Sequence, residues 1–388
     1  MGGCMDKDML RRLTDLRHEL HRRAELSEQE TATKAYLMDF MRNETDFEVV
    51  DCGKWFYCRK DPADSCKAGE AGETGAGSLP PVAFRADMDA LPIDESISLG
   101  YGSRCPGVSH KCGHDGHMAA LAGLGLSLTG KALTRPVVLI FQHAEETGRG
   151  GEICSGLLPK LHVSEVYAFH NLGGYPEGSI VVREGLSQPA SKGLTVHFHG
   201  KTSHASDPEQ GRNPADAICD LEVCIRKALE APHVGMVLCT IVNISVGRRD
   251  FGVSAGEGEI SMTLRAENES EMDRLEETIR REAERLAGRD GLGVTFEEAD
   301  PFPETRNDPE ALRKVEACAQ SLNLQVIRMK ELWRASEDFG WYLKKCPGAI
   351  FYIGNGESYP PLHTKEYDFN DRILERAVDM FCALAQAE

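Results

Sequence analysis

Val137-Val138-Leu139-Ile140-Phe141-Gln142-His143-Ala144-Glu145-Glu146 is the stretch whose reading decides the fold. Its apolar run has the character of a fully buried strand, and it ends on two adjacent carboxylates. Further β-rich runs stand at Pro81 to Ala86 and Val166 to His170, and an apolar stretch of small residues from His117 to Leu128 reads as a helix between them. Strand and helix alternate, which argues an α/β sheet. Adjacent residues at a strand end can point differently, so one carboxylate can hold a metal while its neighbour stays free as a general base. The plainer alternative is an exposed helix start, where the helix dipole favours acids.

Outward from this centre, Met9, Leu10, Leu13, Leu16 and Leu20 recur at helical spacing between Asp8 and Arg23, and a second helix is expected over Glu28 to Met41. Cys66 to Pro80 is rich in Gly, Ala and Glu without apolar periodicity, and is expected as an exposed hairpin-type loop. From Leu194 the pattern changes. Leu194 to His199 alternates, Pro214 to Leu229 is helical, Val237 to Val246 and Glu259 to Arg265 are β-like, and Ser270 to Leu286 is a charged helix. This is a βαββα-type unit, expected as an inserted domain. After Pro301-Phe302-Pro303 the α/β style resumes with a helix over Pro309 to Leu322, a strand over Ala349 to Ile353 and a helix over Asp371 to Ala385. The expected division is a first catalytic piece at 1–189, an inserted domain at 190–304 and a second catalytic piece at 305–388.

A chain of 388 residues is long for one core, and its 41% hydrophobic and 27% charged residues are ordinary for a globular protein. A formal charge of −18 disfavours nucleic acid and anionic membranes as partners, because both select basic patches. No apolar run is long enough to span a bilayer, and no signal peptide is readable, so a cytoplasmic location is expected. Met1-Gly2-Gly3-Cys4 invites a lipidation reading, but Asp6 stands where a myristoylation signal wants Ser or Thr. Thirteen cysteines, an odd number scattered through apolar segments, fit reduced thiols in a reducing compartment.

The chemistry concentrates in Cys112-Gly113-His114-Asp115-Gly116-His117. Thiolate, imidazole and carboxylate are the donors of zinc and its neighbours, and glycines let the backbone turn tightly around an ion. Cys112, His114, Glu146, His170 and His363 supply those donors from strand ends and loops. The competing reading is a buried thiol beside helix-capping polar groups.

Phe84-Arg-Ala-Asp-Met-Asp-Ala-Leu-Pro92, Ser109-His-Lys-Cys-Gly-His-Asp-Gly-His117, Phe141-Gln-His-Ala-Glu-Glu146, Ala168-Phe-His170, Gly200-Lys-Thr-Ser-His204, Ser336-Glu-Asp-Phe339 and Leu362-His363 occur in one order along the chain. In that order they resemble the metal-dependent aminoacylase-type amidohydrolases, which include hippurate hydrolases, N-acetyl-diaminopimelate deacetylases and the indoleacetyl-amino-acid hydrolases of plants. Leu20-His21-Arg22-Arg23-Ala24-Glu25 is similar to the first helix of that group, with Ala24 in place of its usual Pro. The resemblance implies a catalytic α/β domain with a central mixed sheet and a ferredoxin-like α+β lid through which subunits dimerise. It implies two divalent ions per subunit, zinc, manganese or cobalt, held by Cys112, His114, Glu146, His170 and His363, with Cys112 bridging. Glu145 would be the general base and acid, and His204 of the lid would polarise the scissile carbonyl. Arg265 would bind the carboxylate of the amino-acid product, a task suited to its bidentate fork. Asp87 and Asp89 would orient ligands through hydrogen bonds.

The implied reaction is hydrolysis of an N-acyl amino acid or short peptide by activated water. A dipeptide-cleaving peptidase and a non-catalytic metal-binding relative are the competing readings. Where relatives carry an Asn before Val-Ile-Pro, this chain has Gly252-Val253-Ser254-Ala255, which removes a polar group from the lid. Lys111 and His143 replace a common Ala and a common Pro, and are expected to tune the ligands or to meet an acidic substrate.

Overall fold

The computed structural model describes residues 5–63 and 79–387. The loop expected over Cys66 to Pro80 lies outside them except for Leu79 and Pro80, as does Met1-Gly2-Gly3-Cys4. The chain forms two compact units, one of Met1–Ser187, Thr305–Leu332 and Glu337–Glu388, the other of Gln188–Glu304 and Trp333–Ser336.

The first unit is built on an eight-stranded mixed sheet, in the order Glu48–Asp51, Phe56–Lys60, Val137–Gln142, Val82–Asp87, Glu165–Gly173, Gly348–Gly356, Ile180–Val182 and Val326–Arg328. Val82–Asp87 runs parallel to both Val137–Gln142 and Glu165–Gly173, and Gly348–Gly356 runs parallel to Glu165–Gly173. The strands Val82–Asp87 and Val137–Gln142 are buried at every position, as strands covered on both faces must be. Four parallel strands therefore open their carboxyl ends on one edge, where α/β sheets carry their ligands.

The helix His114–Leu128 is buried along its whole length and packs against the helices Lys7–Arg22 and Leu374–Gln386. Small residues make that close approach possible: a Cβ on Gly123 would stand 2.6 Å from Val378 Cγ2 and 2.7 Å from Leu13 Cδ1. Leu13, Leu16 and Leu20 bury the apolar stripe of the first helix against it, and Phe84, Tyr167, Phe351 and Phe381 continue the core beneath the sheet. The second helix begins at Thr31 rather than Glu28, because Glu28 sits at φ 71° and the Glu25 carboxylate accepts the Ala32 and Thr33 amides at the helix start.

The second unit has the order βαββαβ: Ala190–His199, the helix Ala215–Leu229, Val237–Val246, Glu257–Ala266, the helix Glu269–Asp290 and Gly293–Phe302. Its four strands form an antiparallel sheet with Ala190–His199 and Glu257–Ala266 in the middle. Leu194, Val196, Phe198, Ile260, Met262 and Leu264 alternate onto the face that packs against Leu221, Ile225, Leu275 and Ile279 of the two helices. The closing strand was not expected from the sequence, since Glu297-Glu298 and Pro301 interrupt its alternation. It forms because Gly293 to Ala299 pair residue by residue with Ala190–His199, with an irregularity at Asp300 and Pro301 before Phe302 pairs with Ser191. Among the described residues no helix is long and apolar enough to cross a membrane.

Candidate metal centre

Each donor is delivered by a distinct local device. Cys112 precedes Gly113, whose φ of 96° turns the chain into the helix that starts at His114. A Cβ on Gly113 would lie 2.4 Å from Asn171 Oδ1, so only glycine fits that turn. Glu145 and Glu146 follow Ala144, which is held at φ 51°. The Ala144 amide donates to Glu30 at 2.7 Å and the Glu146 amide to Asp89 at 2.9 Å. His170 lies within the strand Glu165–Gly173. His363 itself takes φ 60°, and its amide donates to the Lys111 carbonyl at 2.8 Å, which ties its loop to the Cys112 turn. Left-handed backbone at two consecutive approaches to one site is strain that the surrounding bonds must hold.

The ring orientations follow from the same bonds. His114 Nδ1 donates to the Asp89 carbonyl at 2.9 Å, and His170 Nδ1 donates to the Asn171 carbonyl at 2.8 Å. Both tautomers are thereby set with the Nε2 lone pair turned toward the site. Cys112 Sγ lies 3.4 Å from His170 Nε2 and 3.4 Å from His363 Nε2. Glu146 Oε1 is 3.6 Å from His363 Nε2 and 3.8 Å from His114 Nε2, and Glu145 Oε2 is 3.8 Å from His114 Nε2. Cys112 thus belongs to two donor groups, one with His114 and His170, the other with Glu146 and His363. The five sequence-derived donors and Glu145 are brought together.

These residues fit a divalent cation on two physical grounds. His114 Nε2 and Glu146 Oε1 are buried with no hydrogen-bond partner, a costly arrangement that a bound cation would relieve. The centre is also short of positive charge. Burial and then Glu337, Glu146 and Asp338 push the Glu145 carboxyl well above its ordinary range, and burial with Asp89 pushes Glu146 up to about 7. Burial alone would lower His114, yet Asp87, Asp89 and Glu146 raise it to about 10. The carboxylates that draw a proton onto His114 would draw a metal cation by the same field, while burial lowers His170 and His363 and so favours their neutral, ligating form.

Asp87 and Asp89 both stand behind the donors. Asp89 contributes its carbonyl to His114 and its carboxylate to the Glu146 amide and the Ser27 hydroxyl. Asp87 Oδ1 pairs with His117 Nδ1 at 2.7 Å, and His117 Nε2 pairs with Asn171 Oδ1 at 2.7 Å. The fully buried Arg85 binds Asp87 at 2.6 Å and Asp338 at 2.7 Å.

Lys111 does not meet a substrate: its buried ammonium is taken up by Glu95 at 2.9 Å and the Tyr367 carbonyl at 2.7 Å. His143 is buried too, with Nδ1 3.8 Å from Cys154 Sγ and Nε2 3.8 Å from Glu28. The supporting residues Glu30, Asn171, Arg85 and Asp338 were missed by sequence reasoning. Arg85 and Asp338 stand inside quoted motifs and Asn171 directly follows one, the one signal that could have found them.

His204 and Arg265 belong to the second unit. Ser203–His204 pairs with Val253–Ser254, so the Gly252 segment that departs from relatives is the strand backing His204. The His204 ring is exposed, with Nδ1 3.1 Å from the Ser206 amide that donates to it. Arg265 Nη1 donates to the Arg334 carbonyl at 2.6 Å.

The chain is similar over most of its length to proteins of known class. It is 27% identical to the N-acetyldiaminopimelate deacetylase of Exiguobacterium sibiricum, covering 90% of this chain and 92% of that one. It is 28% identical to the hippurate hydrolase of Campylobacter jejuni, covering 95% and 94%. A solved Bacillus subtilis structure described as a dinuclear metal binding peptidase from the M20 family superimposes with a TM-score of 0.79 at 26% identity, over 98% of each chain. The sequence profile of peptidase family M20/M25/M40 matches residues 83–387, and with that match the chain belongs to this family, as a metal-dependent amidohydrolase.

Proposed function

We propose that this enzyme hydrolyses the amide bond of N-acyl amino acids, with Glu145 as general base and acid. The observation that carries the reading is Cys112 shared between two donor groups, with the Glu145 carboxylate beside them. Cys112, His114 and His170 would hold one divalent ion and Cys112, Glu146 and His363 a second, with zinc, manganese and cobalt all suited to this donor set. Bound there, the ions would polarise the substrate carbonyl and acidify water. Glu145 takes the proton of the attacking water and returns it to the leaving amine. Asp89 keeps the His114 ring and the Glu146 backbone in place, and Asp87 acts through the His117 ring beside them.

His204 is proposed as the donor to the developing oxyanion. With Nδ1 accepting from the Ser206 amide, a neutral ring carries its proton on Nε2, the form that donates. Arg265 is proposed to hold the amino-acid carboxylate. The second unit is proposed as a ferredoxin-like lid through which two copies pair: its edge strand Val237–Val246 leaves Val242 63% and Ile244 50% exposed.

A mass-spectrometric screen of N-acetyl, N-benzoyl and N-arylacetyl amino acids with added zinc or manganese tests the reading. Metal-dependent release of the free amino acid is expected, and loss of that release on chelation. A screen with no released amino acid under any metal would reject it. His204→Ala is expected to lower kcat by about 10²- to 10³-fold with metal content unchanged. Equal turnover in that variant would remove His204 from the mechanism.

A further inference from the structure

In the second unit, the strand Ala190–His199 sends Leu194, Val196 and Phe198 into the core, so His197 and His199 stand on the opposite face, turned away from the two helices. The neighbouring strand Glu257–Ala266 buries Ile260, Met262 and Leu264 in the same way, which puts Glu257 and Glu259 on that outer face too. The register sets them directly opposite each other, His197 against Glu259 and His199 against Glu257. Their side chains have closed together, with His197 Nδ1 3.2 Å from the Glu259 carboxylate and His199 Nδ1 2.7 Å from that of Glu257. The two rungs are two residues apart, about 7 Å of strand. Two imidazoles and two carboxylates thus occupy the corners of one small rectangle.

The patch is negative however its rings are protonated. A third carboxylate, Glu297 of the strand Gly293–Phe302, lies 3.5 Å from His197 Nε2, so three acids meet two imidazoles. None of the three is paired with Lys or Arg among the described residues. Acids on the helix side of the same sheet are treated differently: Lys192 pairs with Glu276 at 2.7 Å, and Arg280 with Glu276 and Glu298 at 2.6 Å. Carboxylates held side by side without a cation repel, and a divalent ion between them would relieve that repulsion.

The donor types select the ion. Magnesium and calcium take oxygen donors, whereas imidazole suits zinc and its neighbours. Zinc bonds of about 2.0 to 2.1 Å in a tetrahedron hold neighbouring donors about 3.3 Å apart, close to the 3.2 Å and 2.7 Å of the two rungs. The geometry points to a zinc site on the outer face of this sheet, held by His197, His199, Glu257 and Glu259, none of which is among the donors around Cys112. Its place in the chain gives it a consequence. Beyond the His199–Glu257 rung the Gly200 amide donates to the Gly256 carbonyl at 2.6 Å, and the same two segments then pair as Ser203–His204 with Val253–Ser254. An ion on the rectangle would staple the base of the arm that carries His204.

The test counts zinc in the full-length protein by equilibrium dialysis and elemental analysis, a readout independent of hydrolysis. Wild type is expected to bind one zinc ion per subunit more than His197→Ala/His199→Ala, and one more than Glu257→Gln/Glu259→Gln. All four side chains face solvent, so both double variants should keep the fold, which circular dichroism checks. Glu297→Gln, outside the rectangle, is expected to keep the full count. Equal zinc in wild type and the two double variants overturns the proposal and leaves the amidohydrolase reading standing. A loss in Glu297→Gln as large as theirs overturns the four-residue assignment.

Discussion

Glu145→Gln is expected to slow turnover of the best N-acyl amino acid by about 10³-fold while binding as much metal as the wild type. The amide keeps the size and shape of the acid and cannot accept a proton. Glu145 is buried, and its carboxyl stands well above the ordinary range because of that burial and then the negative charge of Glu337, Glu146 and Asp338, with Arg85 pulling the other way. Beside a divalent cation the same carboxyl is drawn back toward neutrality, where a general base must sit to take a proton and give it up again. Elemental analysis separates the two functions. Glu146→Gln should lose metal and activity together, whereas Glu145→Gln should lose activity alone. A Glu145→Gln enzyme within tenfold of wild type would hand the base role to another group.

The division between what the sequence discloses and what it hides follows the range of the forces involved. Cys112, His114, Glu145, Glu146, His170 and His363 are legible because chemistry restricts donor type, and because buried strands such as Val137–Gln142 announce themselves as apolar runs. The amphipathic helix Lys7–Arg22 and the charged helix Glu269–Asp290 are legible through periodicity. Ile180–Val182 and Val326–Arg328 are three residues each, too short to show a period, and exist as strands through their neighbours. Glu30 is a further case. Nothing in Glu28-Gln29-Glu30 indicates that a carboxylate will cross to the Ala144 amide 114 positions away and hold a left-handed residue in front of Glu145. Lys111 misled for a similar reason: its proximity to Cys112 was visible, and its capture by Glu95 and the Tyr367 carbonyl was not. Local chemistry reads from the chain, and long-range polar pairing does not.

Arg85 is the long-range pairing with the greatest structural consequence, and Arg85→Met is expected to destabilise the first unit by about 3 to 5 kcal/mol. The guanidinium is fully buried and binds Asp87 at 2.6 Å, Asp338 at 2.7 Å, Glu337 at 3.2 Å and the Gln142 side-chain carbonyl at 2.9 Å. Met fills the stem but takes the guanidinium from Asp338 and Glu337, and leaves Asp87 with His114 and His117 alone, in a medium where an unpaired ion is costly. The pH dependence gives the effect a signature. Burial already raises Asp338 to about 7 against the pull of Arg85, with Glu337 adding to the rise. A carboxyl raised above its unfolded value of about 4 contributes stability that is full below that value and lost as pH rises through the folded pKa. Without Arg85 the folded pKa climbs further, so the difference between variant and wild type should be larger at pH 8 than at pH 5. Urea midpoints of both metal-free proteins at the two pH values measure it. A loss under about 1 kcal/mol, or one that grows as pH falls, would mean that Asp87, Glu337 and Asp338 are neutralised by something other than Arg85.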